Sequence, residues 1–289
     1  MADYRLDSTG IPGYNESIEV ITMKKVLSIV LIVILLLVFC VSTFLVGQYI
    51  YQSKKQGSEF DKLSQMVDNS NKPTRPDLST RPTEETTAPT EETTDPGPHI
   101  LPAYQEIHEM NPDVVGWIQI EGTKVNYPVM QTPSSPNFYL KRNFNKEHSD
   151  WGSIYAREEC DILKPSDNIT LYGHNMRDCS MFGDLKEYVS KDFWEDHQLI
   201  FFDDLYNYHV YQIFAVFKTT ATQDMGFEYH NMIDAASEEE FDEFIRTCKE
   251  LSFYDTGITP KYGDKTICLS TCEYTLENGR LVVAASRIY

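Results

Sequence analysis

Two residues near the C-terminal end of the chain have the types and spacing that nucleophilic chemistry needs. Cys272 closes the segment Thr266–Cys272, which is rich in Thr, Ile and Leu, and Arg280 opens the run that continues as Leu-Val-Val. Both segments read as β-strands, and the residues between them end in the turn-forming pair Asn278-Gly279. Such a hairpin predicts that the thiol lies close to the guanidinium. The thiolate is the reactive form of cysteine, and a fixed positive charge stabilises it or an oxyanion formed on attack.

A nucleophilic cysteine needs an acid–base partner, and His174 stands where one is expected. The segment Asn168–Tyr172 predicts a short strand, and Gly173 and His174 follow where that strand ends. The other histidines lie in no comparable pattern. We therefore expect Cys272, His174 and Arg280 to meet in one active site, with Cys272 as the nucleophile.

The segments around these residues resemble the signatures of one enzyme family. LYGHNM at 171–176, LSTC at 269–272 and the RLVV that begins at Arg280 look like the three signatures of a sortase, and YGHNM resembles the class B form. The stretch at 111–131 is similar to the opening of class B domains, and a helix before the strand of the cysteine is another class B feature. The resemblance covers residues 101 to 289.

Sortases are membrane-anchored cysteine transpeptidases that attach surface proteins to the Gram-positive cell wall. The resemblance implies that Cys272 attacks the carbonyl of a Thr in a short C-terminal sorting motif of a secreted protein, with an Asn-Pro-type pentapeptide suggested by class B. Protonated His174 would donate to the leaving amine, Arg280 would stabilise the oxyanion, and an amine of a peptidoglycan precursor would resolve the thioester. The residues implied to line the substrate groove are Tyr172, Ser270 and Glu273.

Other functions would use the same residues differently. A membrane-tethered cysteine peptidase would pass the acyl group to water, and only the products formed with an added amine would distinguish it. A stalked surface module that binds a ligand through its β-domain would not need the three residues together. A metal site of His174, Cys179 and Cys160 is disfavoured by irregular spacing, and the sequence has no cofactor motif.

Composition restricts the partners. The chain has 289 residues and a formal net charge of −19 at pH 7, which argues against nucleic-acid binding because phosphate contacts need Lys and Arg. Its six cysteines are too few and too scattered for a disulfide framework, and none has the C-x-x-C spacing of a structural zinc site. On an extended strand Cys268 and Cys272 would lie roughly 13 Å apart, too far for a disulfide.

The N-terminal third predicts a membrane anchor and a stalk. Residues 1–25 are polar and are expected to form a cytoplasmic tail, and Val26–Gly47 contains no charge and is long enough to cross a bilayer as an uncleaved helix. Lys24 and Lys25 precede that run, which favours a single-pass membrane protein with its catalytic domain outside the cell. Residues 48–99 are expected to form an extracellular stalk. The repeated PTEETT within it predicts an extended, disordered linker.

Residues 100–289 are expected to form the catalytic domain, mainly β with peripheral helices. The clearest helix is Ser237–Phe253, where Ser237 and Glu240 make a capping box and apolar residues recur every three or four positions. Within the stalk, apolar residues at helical spacing also predict a short helix over 52–70. The fold class that the resemblance implies is a closed, mixed β-barrel of the sortase type, preceded by one transmembrane helix and a disordered linker.

Overall fold

A computed structural model describes residues 12–69, 99–222 and 225–289. The chain forms two compact units, Met1–Lys55 and Gln56–Tyr289. The first residues of the expected cytoplasmic tail and the linker predicted to be disordered, residues 71–98, lie outside the described residues.

The first unit consists of the N-terminal part of one long helix, α1 (Pro12–Asn69). The large apolar side chains from Val26 to Val46 are all exposed. This helix is long and apolar enough to cross a membrane, by length and composition. It is therefore a candidate membrane anchor. The helix begins at Pro12, so part of the polar segment that precedes the apolar run is helical.

The second unit is built around a closed barrel, and the described residues contribute eight strands to it. The strands are β1 (Val114–Gln119), β2 (Asn126–Met130), β3 (Ile154–Ala156), β4 (Asn168–Tyr172), β5 (Leu199–Asp204), β6 (Val210–Thr220), β7 (Thr266–Glu273) and β8 (Gly279–Arg287). Their order around the barrel is β1-β2-β3-β4-β7-β8-β6-β5. β2–β3 and β4–β7 are parallel pairs and the others are antiparallel, so the predicted closed, mixed barrel is confirmed.

Among the described residues, three further α-helices pack outside the barrel. They are α2 (Pro102–Met110), α3 (Lys191–Asp196) and α4 (Glu238–Leu251). The predicted helix after Ser237 is confirmed, because the Ser237 hydroxyl accepts a hydrogen bond from the backbone N–H of Glu240. The Glu240 carboxylate reaches back to the N–H of Ala236 at 2.8 Å, which satisfies a second donor at this helix start. Residues 138–141 form a short 3-10 helix.

Two apolar clusters hold this unit together. The larger fills the barrel, and the smaller lies between α4 and the strands β6, β7 and β8. Cys248 on α4 is fully buried in the smaller cluster, which also contains Cys268 of β7. These cysteines act as small apolar side chains in the core.

The second unit begins at Gln56, whereas the sequence pattern placed the start of the folded domain near Ile100. The C-terminal part of α1 buries Phe60, Leu63 and Val67 in the apolar cluster of the barrel. These positions lie on one face of the helix, because residues three and four apart share a face. Within the range 52–70 predicted to be helical, residues 56–69 are therefore a packed helical element of the second unit.

Candidate active site

The hairpin of β7 and β8 brings Cys272 and Arg280 together as predicted. The two residues are direct cross-strand partners, one pair before the end of the ladder. Cys272 is partly exposed, whereas Cys268 on the same strand is fully buried. Burial raises the pKa of the Cys268 thiol far above its usual range, since the charged form cannot be solvated there. Cys272 is thus the thiol of β7 that a substrate can reach.

The loop between the strands folds around the carboxylate of Glu273. One carboxylate oxygen accepts hydrogen bonds from the backbone N–H groups of Thr275 and Leu276, at 2.9 and 3.2 Å, and from the Thr275 hydroxyl at 2.7 Å. The other oxygen forms an ion pair with Lys218 of β6 at 2.9 Å. Burial alone would raise the pKa of Glu273, but the bonds from Lys218 and Thr275 outweigh it and lower the pKa below its usual range. Glu273 therefore organises the loop that leads to Arg280.

Arg280 is held by its own loop. Its Nη1 donates hydrogen bonds to the carbonyls of Asn278, at 3.2 Å, and Gly279, at 2.9 Å. Asn278 has a positive φ of 51°. A Cβ at Gly279 would lie 2.4 Å from the carbonyl oxygen of Glu273, so the tight approach requires glycine. The loop backbone thereby fixes one edge of the guanidinium.

We expect Glu273→Ala to lower kcat about 10-fold and the free energy of unfolding by about 1–2 kcal/mol, because the loop donors and Lys218 lose their partly buried acceptor. Peptide-cleavage kinetics and thermal unfolding measure the two effects. Glu277→Ala is the matched control, since Glu277 is an exposed carboxylate of the same loop. Equal behaviour of the two variants would show that Glu273 does not order the loop.

His174 enters the site from β4, which runs parallel to β7 with Tyr172 beside Ser270. Beyond the strand end, the Gly173 N–H donates to the Ser270 carbonyl at 3.1 Å. The side chain of Asn175 donates to the carbonyl of Cys272 at 2.9 Å. The residues on both sides of His174 are therefore bonded to the end of β7 that carries Cys272.

The imidazole of His174 is oriented by a backbone carbonyl. Nε2 lies 2.7 Å from the oxygen of Leu140, and because a carbonyl only accepts, Nε2 is the donor. Burial lowers the pKa of His174, and the hydrogen bond to Leu140 opposes that effect. Lys141 lowers the pKa further, and Asp150 raises it. Nδ1 is left as the ring nitrogen for acid–base chemistry.

These shifts predict the acidic limb of the pH profile. A lowered pKa makes His174 the first of the thiol–imidazole pair to lose its proton as the pH rises. The acidic limb of kcat/KM therefore follows His174 and should lie below pH ~6.5, although the reacting form of the pair is thiolate and imidazolium. Lys141→Gln removes a positive charge and should move the limb to higher pH, whereas Asp150→Asn should move it lower. Each shift should be roughly 0.2–0.7 pH, since exposed charges interact by about 0.2–1 kcal/mol. Shifts of the same sign in both variants would contradict the assignment of this limb to His174.

The three residues expected to line a substrate groove differ in their exposure and in their contacts. Ser270 is buried, and its hydroxyl is 2.5 Å from the hydroxyl of Tyr229. Glu273 is engaged by Lys218 and its own loop. Tyr172 is partly exposed, and its ring packs against the ring of Tyr155 with 5.4 Å between the ring centres. Burial raises the pKa of Tyr172 to about 12, so this hydroxyl stays protonated at neutral pH.

Sequence reasoning missed several residues that build the site. They come from distant parts of the chain. The backbone carbonyl of Leu140 contacts His174, the hydroxyl of Tyr229 contacts Ser270, and the ammonium group of Lys218 contacts Glu273. Asn175 could have been found, because it stands inside the LYGHNM segment and carries a polar side chain next to His174.

The alternative metal site would need His174, Cys179 and Cys160 to lie together, and the part of the chain that the structure describes contains no such cluster. No group of three or more His, Cys, Asp or Glu side chains there could hold a metal ion. The Cys160 thiol is buried and donates to the Asn168 carbonyl, whereas Cys179 accepts a hydrogen bond from Lys186 at 3.3 Å.

Comparison with known proteins identifies the family. The family model described as a Sortase domain matches residues 118–288. The chain is similar to Sortase B of Staphylococcus aureus, with 28% identity over 268 residues, 92% of this chain and 98% of that protein. This chain belongs to the sortase family. It is a class B sortase and a cysteine transpeptidase, as the motifs predicted.

Solved structures agree with this assignment. The Staphylococcus aureus sortase B–substrate complex matches with a TM-score of 0.67 and 28% identity, covering 82% of this chain and 98% of that one. A crystal structure of Sortase B complexed with triglycine matches with a TM-score of 0.66 and 28% identity, covering 82% of this chain and 99% of that one.

Proposed function

We propose that Cys272, His174 and Arg280 are the catalytic residues of this transpeptidase. The observation that carries the proposal is the pairing of Cys272 with Arg280 across β7 and β8, beside a His174 whose neighbour Asn175 binds the Cys272 carbonyl. The proposal thus takes a nucleophile, an acid–base group and an oxyanion donor from the ends of three neighbouring strands.

The first half of the reaction forms a thioester. The Cys272 thiolate attacks the carbonyl carbon of a substrate Thr, and the guanidinium of Arg280 stabilises the oxyanion that develops. His174 then gives a proton from Nδ1 to the leaving amine as the peptide bond breaks, because its Nε2 is bonded to Leu140.

The second half transfers the acyl group. An incoming amine attacks the thioester, His174 takes its proton, and the Cys272 thiolate leaves as the new amide forms. We propose that the donor is a secreted protein with a C-terminal sorting motif cut after Thr, and that the acceptor is an amine of a peptidoglycan precursor. The substrate and triglycine complexes of similar sortase B proteins support a sorting peptide and a glycine-type amine.

The proposal also places the enzyme at the cell membrane. The exposed apolar run of α1 would anchor it as a single-pass protein, with Lys24 and Lys25 on the cytoplasmic side and the barrel outside.

The test uses the full-length protein in detergent, because the second unit includes part of α1. Quenched fluorescent peptides of Asn-Pro type and related motifs are incubated with and without triglycine, and products are identified by mass. Cleavage after Thr with a triglycine-ligated product supports the proposal. Cleavage that yields only free acid at every amine concentration would favour a peptidase that passes the acyl group to water.

A further inference from the structure

The membrane-proximal segment, defined as residues 56–67 of α1, packs within the second unit beside the structures that support His174. Phe60, Leu63 and Val67 are almost fully buried against the barrel. Burying each such side chain stabilises the contact by roughly 1.5–3 kcal/mol. The segment is thus firmly attached, and its polar contacts reach two structures that hold His174.

One contact leads to the backbone of His174. The Phe60 ring packs edge-on against Tyr127 of β2, with 5.1 Å between ring centres. The Tyr127 hydroxyl accepts a hydrogen bond from the N–H of Met181 at 3.1 Å. Met181 forms a β-bridge with Asn175, and the next residue, Phe182, donates its N–H to the His174 carbonyl at 3.0 Å. The ring of Phe60 therefore supports Tyr127, whose hydroxyl holds the loop between His174 and Met181 closed.

A second contact leads to the imidazole. The carboxylate of Glu59 accepts hydrogen bonds from the side chains of Asn143, at 3.3 Å, and Asn145. The side chain of Gln56 accepts one from the Ser149 hydroxyl at 3.1 Å.

These partners belong to a turn that is closed by the Ser149 N–H, which donates to the Lys141 carbonyl at 3.0 Å. Lys141 follows Leu140, whose carbonyl holds Nε2 of His174. The segment therefore braces the peptide that orients the ring.

We propose that the membrane-proximal segment is a positioning element for His174, acting through Glu59 on the Leu140 turn and through Phe60 on Tyr127. The inference rests on the proposed acid–base role of His174. Misplacement of a reacting group by about 1 Å can cost 10²-fold in rate, so a brace on both the ring and the backbone matters for kcat. Neither contact includes Tyr172, Ser270 or Glu273, the residues expected to line the substrate groove, so KM should change little.

The experiment compares variants of the full-length protein. Glu59→Ala and Phe60→Leu each remove one of the two contacts. Glu59→Gln keeps one of the two accepting oxygens and replaces the other by a donor, so it retains one of the two asparagine contacts. Lys62→Ala and Gln65→Ala are matched controls, because both residues are exposed on the same helix. The measurements are kcat, KM, thermal unfolding and the NMR resonances of the His174 imidazole.

We expect Glu59→Ala and Phe60→Leu to lower kcat about 10-fold with KM within about twofold and to shift the His174 resonances, since a lost brace widens the range of ring orientations. The two controls should stay near wild type, and Glu59→Gln, which keeps one accepting oxygen, should lose clearly less kcat than Glu59→Ala. Should Phe60→Leu not fold, the comparison of Glu59→Ala with Glu59→Gln decides alone.

Two results would contradict different parts of the argument, the inference about the segment and the proposed role of His174. If Glu59→Ala lowers only the unfolding temperature, with kcat and the His174 resonances unchanged, the segment is an anchor and the inference is wrong. If His174→Ala retains wild-type turnover, the proposed catalytic role of His174 fails.

Discussion

Replacing Cys272 by alanine should reduce transpeptidation to background, a loss of about 10⁴-fold or more, because no acyl-enzyme can form without the thiol. The fold should survive, since Cys272 is partly exposed at the end of β7 and takes no part in the buried clusters. Mass spectrometry of the wild type after reaction with peptide alone should show a thioester on Cys272, and the alanine variant should show none.

Cys268→Ala provides the matched control. It removes a thiol from the same strand, but a fully buried one, so activity should stay within about twofold and the unfolding free energy should fall by only about 1 kcal/mol. A small alkylating reagent should modify Cys272 and spare Cys268. Turnover that survives in Cys272→Ala would remove the nucleophile from the proposed mechanism.

The hairpin that carries this chemistry was predictable because its determinants are local. Strand-forming residues on both sides of a turn ending in Asn278-Gly279 specify an antiparallel pair, and the structure places Cys272 opposite Arg280. The capped helix α4 is local in the same sense, since Ser237 and Glu240 are three residues apart. The closed barrel came from the family resemblance, because strand order depends on contacts that no single segment encodes.

The support of the site was not predictable for a physical reason. His174 is oriented by the carbonyl of Leu140, and a backbone acceptor leaves no trace in the residue types. The partner of Glu273 is Lys218, an ordinary strand lysine by sequence. The pattern around Phe60 did predict a helix over 52–70. It could not show that this helix packs on the barrel, because an apolar face on a helix does not specify which surface it packs against.

Arg280→Lys should lower kcat about 10²–10³-fold, the usual effect of losing one oxyanion donor. In the wild type, Nη1 of Arg280 is occupied by the carbonyls of Asn278 and Gly279, which leaves Nε and Nη2 to face a developing oxyanion. Lysine offers one nitrogen at the end of a flexible stem. It cannot hold the loop and stabilise the oxyanion in the same fixed geometry.

The measurement is kcat and KM for peptide with saturating triglycine, with Arg287→Lys as the matched control at the far end of β8. Oxyanion stabilisation predicts a fall in kcat at nearly constant KM, whereas binding of the ground-state carbonyl predicts a rise in KM. A near-normal kcat in Arg280→Lys would contradict the role of Arg280 in stabilising the oxyanion. Arg280 lies directly opposite Cys272 in the ladder, so an effect confined to KM would place it on the peptide beside the reacting carbonyl and leave the oxyanion to another donor.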